Sequence, residues 1–197
     1  LPKVKTVTWL IALAALSVSS ISAWASPPAW QVDAAKSSLT FKVTVEIQTV
    51  TGKFPGFGAL IRFDPADLAG SSAKITMDTT GIRTNHTIRD AMLLKPAWFN
   101  VLDYPQAKFQ CDRFVGTGPG KFVCEGKLTI KGISRPVNLP FTLAIKSNRA
   151  FMKGKATIRR LDFKVGEGPD YSDGKKVALT VDVFVDLQAT RVNAPGQ

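Results

Sequence analysis

Apolar and polar side chains alternate along most of the chain beyond residue 37. Leu39, Phe41, Val43, Val45 and Ile47 share one face of an extended segment, while Lys42, Thr44, Glu46 and Gln48 take the other. The period of two returns at Phe57, Ala59, Ile61 and Phe63, and again at Val137, Leu139, Phe141, Leu143 and Ile145. It is cleanest at Leu179, Val181, Val183, Val185 and Leu187, which alternate with Thr180, Asp182, Phe184 and Asp186. Successive side chains of a strand point to opposite faces, so this pattern predicts half-buried β-strands. Further strands fit residues 72–80, 107–115, 121–131 and 152–163, separated by turn-forming clusters such as Asp64-Pro65-Ala66 and Ser147-Asn148-Arg149. The pattern amounts to about eight antiparallel strands, each wet on one face and apolar on the other.

One segment departs from the alternation. In TNHTIRDAMLLK, residues 84–95, Ile88, Met92 and Lys95 recur at helical spacing with Ala91 beside them. Asn85 is placed to cap the start and Pro96 to mark the end, which predicts a short helix inside a long inter-strand connection. Many strands with so little helix predict an all-β fold, an eight-stranded antiparallel barrel, because closure removes exposed edges. A β-sandwich would show the same alternation and stays open at this level. A barrel of this size holds either a packed core or one small ligand. Its inward candidates are large: Phe41, Phe57, Phe63, Phe109 and Phe141.

Composition changes the picture at the N-terminus first. Lys3 and Lys5 precede an apolar run from Val7 to Val18, and Ala23-Trp24-Ala25 forms an A-x-A pattern ahead of Ser26. That order predicts a cleavable signal peptide over residues 1–25 and a single exported domain over 26–197, placed in the periplasm. A membrane anchor would need about 20 apolar residues, and serines interrupt this run. Nothing later is long and apolar enough to span a bilayer as a helix. The net charge of +11 falls to +9 without residues 1–25, which carry two lysines and no acids. The basic residues are scattered, and the aromatic residues fall in apolar positions, so no nucleic-acid partner is expected. Contact with an anionic membrane surface fits a basic exported protein better.

The two cysteines, Cys111 and Cys124, flank Gly116-Thr117-Gly118-Pro119-Gly120. A hairpin centred between residues 117 and 118 would set them opposite one another and allow a cross-strand disulfide. No CxxC redox arrangement is present.

The motifs run in a distinctive order: WQVDAAKSSLTFKV, GKFPGFGALIRFDP, ITMDTTGIRT with IRD, WFNVLDYPQAKFQ, GKLTIKGISRPVNLPF, GKATIRRLDFKVGEG and VALTVDVFVDLQA. On these pieces the stretch from Trp30 to about Ala189 resembles the YceI family of exported lipid- and polyisoprenoid-binding proteins. The resemblance implies a lipocalin-like barrel with a long apolar pocket for an isoprenoid-tailed molecule, such as a polyprenyl chain or quinone. It implies no catalysis and no required cofactor or metal, and a homodimer is an expectation from the family. The chain departs from the family at Lys36 in DAAKSS and at Val45, where members often carry histidine. Roles attributed to those histidines therefore do not carry over.

On this reading the pocket wall is drawn from Phe41, Val43, Phe57, Ile61, Phe63, Met77, Phe109, Phe141 and Leu143. Met92, Leu93, Trp98 and Phe99 would form an adaptable lid, or simply close one barrel end by packing. The remaining chemistry reads as structural. His86, the only histidine, caps a helix or sits on the surface, and Arg89 with Asp90 fixes the helix at the barrel mouth, with recognition of a ligand headgroup as the alternative role. In GKATIRRLDFKVGEGPDYSD, residues 154–173, the candidates Arg159, Asp162 and Glu167 read as a rim ion-pair cluster rather than an active site. The glycines at 166 and 168 mark a bend, with no phosphate-loop context. The loops at 50–56 and 165–176 are candidates for a partner surface. The leading expectation is a non-catalytic lipid carrier. A solid-core barrel with an interaction or stress-related role is the alternative, and an enzyme acting on an isoprenoid lipid fits less well.

Overall fold

The first hairpin shows why an eight-walled barrel contains ten strands. The computed structural model describes residues 26–192, so the expected signal peptide lies outside the described residues. The strands β1 (Ala29–Val32) and β2 (Ser38–Val45) run one after the other along one wall, broken by a single 3-10 turn at Ala34–Lys36. The Asp33 carboxylate caps that turn by accepting from the Ala35 N–H. The return wall is β3 (Gln48–Lys53) followed by β4 (Phe57–Asp64), interrupted by Phe54-Pro55-Gly56. Val43 pairs with Val50 and Trp30 with Ile61, so the two broken strands form one long hairpin.

The remaining walls are β5 (Asp67–Asp78), β6 (Gln106–Gly118), β7 (Lys121–Ile130), β8 (Ile133–Lys146), β9 (Arg149–Arg159) and β10 (Thr180–Arg191). Each pairs antiparallel with the next. Closure comes from β10, which pairs with β2 through Val183↔Phe41 and with β1 through Trp30↔Arg191. The result is an eight-stranded antiparallel barrel with two interrupted walls. The helix α1 (Thr87–Leu93) lies in the connection between β5 and β6.

Alternation survives wherever a strand is uninterrupted. On β10, Phe184 points outward, as the pattern requires, and lies under the Lys42 and Lys155 ammonium groups, 5.3 and 5.5 Å from its ring centre. It fails at turns. Ile47, expected on the inner face, is 94% exposed, because Glu46 and Ile47 form the two-residue turn between β2 and β3. Glu46 adopts the left-handed conformation there, with φ of 53°.

The cysteine hairpin also differs from expectation. Its turn is Pro119-Gly120, since Gly118 pairs with Lys121, and Cys124 faces Phe114 while Cys111 faces Gly126. A β-bulge between Cys111 and Arg113 inserts one extra residue into β6. Residues three apart would otherwise face opposite ways, but the bulge turns both Cys111 and Phe114 inward. The cysteines therefore meet diagonally and form a disulfide with Cα atoms 5.9 Å apart.

Helix α1 begins one residue later than expected. His86, not Asn85, is the N-cap, its Nδ1 accepting from the Arg89 N–H at 3.3 Å. Asn85 instead takes a left-handed turn with φ of 58°. Leu93 is the helix's buried residue, whereas Ile88 is 77% exposed. The core divides into a half beneath α1, built around Phe41, Ile82 and Phe163, and a far half built around Phe63, Phe122 and Phe141.

Candidate ligand-binding site

Between the two halves lies an inner cavity of about 160 Å³ walled by apolar side chains. Seven of the expected wall residues line it: Phe57, Ile61 and Phe63 from β4, Met77 from β5, Phe109 from β6, and Phe141 and Leu143 from β8. The wall continues through the paired strands β9 and β10, where Ala150, Met152, Ala156 and Ile158 stand beside Val183, Val185 and Leu187. The β9 row explains why there is room. Gly154 continues the inward series of Ala150 and Ala156, and a Cβ there would come within 3.1 Å of Leu139. Gly154 thus leaves room beside Phe141 on the neighbouring strand β8. Both disulfide cysteines also border the cavity.

Aromatic rings pack together at one end of this cavity. Phe63 packs edge-on against Phe114, Phe122 and Phe141, with ring centres 5.0, 5.4 and 6.1 Å away. Phe122 and Phe141 stack at 5.5 Å, and the Trp30 indole N–H donates to the Phe63 carbonyl at 2.9 Å. Such aromatic pairs add about 0.5–1.5 kcal/mol each beyond their burial, so the floor is rigid.

Towards the helix end lies an outer cavity of about 220 Å³. Phe41, Val43, Met92, Leu93 and Trp98, all expected in the pocket or its lid, line it together with Val45, Val50 and Val177. Leu39 borders the inner cavity and Phe41 the outer one, two residues apart on the same face of β2, so the cavities are neighbours. Phe99 is the exception among the expected residues. It lines neither cavity, because its ring packs edge-on against Phe54 at 6.0 Å.

The outer cavity also has polar lining: Glu46, Thr84, Arg89, Tyr171 and Lys176. Arg89 and Asp90 do not pair directly but share Thr84. The Arg89 Nε donates to the Thr84 hydroxyl at 2.8 Å, and the Thr84 N–H and hydroxyl both donate to the Asp90 carboxylate. Burial works against the Asp90 charge, but the Thr84 hydrogen bonds outweigh it and hold the carboxyl below its ordinary value. This arrangement secures α1 at the mouth. The Tyr171 hydroxyl donates to the Met92 sulfur at 3.6 Å, tying the 160–179 connection to the same helix.

The rim cluster expected at residues 159–167 is not one cluster. Arg159 and Asp162 approach within 3.8 Å on the surface, whereas Glu167 lies apart and influences Lys131. The chain leaves β9 through a 3-10 turn at Arg160–Phe163, which separates these side chains. The arginine that matters is its neighbour. Arg160 is only 3% exposed and donates to five carbonyls, those of Val165, Gly166, Tyr171, Val177 and Ala178. It also lies under the Trp98 ring, 5.9 Å from its centre. Gly166 must be glycine here, with φ of 71° and Trp98 carbons 2.9 Å from where a Cβ would stand. Spacing gave no hint of Arg160 beyond its adjacency to Arg159. Among the described residues, no group of three or more His, Cys, Asp or Glu side chains is placed to share a metal ion.

Comparison with known proteins agrees with this architecture. The YceI-like domain model matches residues 30–189. The crystal structure of Burkholderia cenocepacia BcnA superposes with a TM-score of 0.78 and 32% identity, covering 81% of this chain and all of that one. A polyisoprenoid-binding domain from Saccharophagus degradans shares the fold with a TM-score of 0.65 at 16% identity, over 84% of this chain and 99% of that one. A UPF0312 protein of Vibrio campbellii is 27% identical over 138 residues, 66% of this chain and 73% of that protein. From the barrel, its apolar interior and these matches together, the chain belongs to the YceI-like family.

Proposed function

We propose that the protein is a non-catalytic carrier of a long apolar lipid of isoprenoid or quinone type, held in the barrel and working in the periplasm. The observation that carries this reading is the apolar inner cavity with a second, partly polar one beside it along β2. The inner cavity alone, at about 160 Å³, resembles an engineered cavity of about 150 Å³ that stays dry and takes up benzene. The two cavities together fall within the range of about 300–1,000 Å³ common to small-ligand sites. Met77, Met152 and Met92 line them, and their unbranched side chains can swing to admit a longer tail. Each methylene buried there contributes roughly 0.8 kcal/mol, so a tail binds firmly without polar contacts. Ile47, Ile88, Leu102 and Tyr104 are exposed apolar residues on connections at the helix end, which supports loading from a lipid surface. The Saccharophagus domain carries the same barrel with a polyisoprenoid-binding description, which supports the ligand class.

Native mass spectrometry of the protein purified from its own host tests this. A stoichiometric apolar adduct, lost on organic extraction, is the expected result. An apo mass that also fails to take up added quinones and polyprenyl phosphates would refute the reading and favour a barrel that acts through its surface.

A further inference from the structure

Arg89 is half-buried, lines the outer cavity and lies in no ion pair among the described residues. Its Nε and Nη2 donate to Thr84, at 2.8 Å to the hydroxyl and 3.3 Å to the carbonyl, which fixes the plane of the guanidinium. Nη1 has no hydrogen-bond partner among the described residues. Asp90 makes no direct hydrogen bond or ion-pair contact with Arg89; Thr84, which donates to it twice, stands between them, and the two charges act on one another through space. Lys176, the other cation on the wall, is committed to Asp170 at 2.7 Å. Glu46, the carboxylate among the lining residues, sits in the exposed turn between β2 and β3. The outer cavity therefore presents one oriented guanidinium with donors to spare, next to the apolar inner cavity and its far cluster of packed aromatic rings.

Building on the carrier reading, we infer that the ligand is a single-tailed amphiphile whose anionic head, a phosphate monoester or carboxylate, is received by Arg89 while its tail enters the inner cavity. A planar guanidinium matches the oxygens of either head, and a hydrogen bond between opposite charges is stronger in a half-enclosed site than in water. The packed aromatic rings at the far end leave the helix end as the place for the head.

The test compares farnesyl phosphate, farnesoate and farnesol, three probes with the same tail, using the fluorescence of Trp98 in the outer-cavity wall or equilibrium dialysis. The phosphate is expected to bind about tenfold or more tighter than farnesol. Arg89→Met should reduce that preference to about twofold. A loosened α1 would weaken phosphate and farnesol alike, so the ratio between them is the readout, and a ratio that stays at the wild-type value in a folded variant would overturn the inference. Farnesoate binding as the phosphate does assigns recognition to charge alone, whereas farnesoate binding as weakly as farnesol narrows the site to phosphate heads. Equal affinity of the wild-type protein for all three would overturn the inference and leave the carrier reading standing. Failure of all three to bind would overturn both. The wild-type ratio needs no variant, so it decides the matter even if Arg89→Met does not fold.

Discussion

Replacing Arg160 by methionine isolates the most demanding interaction in the protein. The substitution keeps most of the aliphatic length and removes the five-donor head. It leaves the carbonyls of Val165, Gly166, Tyr171, Val177 and Ala178 without their shared partner and takes the cation from beneath Trp98. An orphaned buried acceptor costs about 1–3 kcal/mol. Five such losses do not add, because the connection from residue 160 to 179 can lift and let water reach several of the carbonyls. The net destabilisation should therefore be about 3–5 kcal/mol, the range for breaking a buried charged network. Lysine at the same position offers three donors in place of five and should fall between methionine and wild type. Urea denaturation gives the global loss, and amide hydrogen exchange across residues 164–178 locates it. A loss below about 1 kcal/mol, with exchange in that segment unchanged, would refute the view that Arg160 holds the connection to the barrel.

Ala156→Leu extends into the inner cavity from β9, so ligand uptake should fall several-fold while the melting temperature holds or rises, read by native mass spectrometry and calorimetry. Reducing the Cys111–Cys124 bond, or replacing both cysteines with alanine, should cost about 3 kcal/mol on the chain-entropy estimate for a loop of this size, seen as a lower urea midpoint. Acid should weaken the anchoring of α1. The Asp90 carboxyl is held below its ordinary value, so its contribution is complete above the unfolded value of about 3.9 and is lost as pH falls through the folded one. Thr84→Val removes the hydroxyl donor and should flatten that loss in denaturation curves recorded at successive pH values.

The parts of the fold that could be read in advance are those encoded by local alternation. Val183, Val185 and Leu187 fall on one face of an uninterrupted strand, so period two alone places them inside. Ile47 continues the same arithmetic but belongs to a turn, and alternation carries no marker for where pairing stops. The cysteine hairpin was misplaced by two residues because several glycines offer themselves as its turn. The bulge near Asp112 is invisible without its partner strand. Most of the pocket wall was legible because its residues are inward phenylalanines and aliphatics on regular strands. Phe99 falls on the packing side of the two roles the sequence allowed, through a contact with Phe54 that is remote in sequence. Arg160 was missed for a related reason: its acceptors converge only through the path of the connection after β9, and no spacing rule describes that path.

The aromatic cluster of Phe63, Phe114, Phe122 and Phe141 fills the barrel at the end away from α1. On the carrier reading, a guest would then come and go by the helix end. Donor and acceptor would take turns at one face, and the residence time of a guest would follow how often α1 and its neighbouring loops yield.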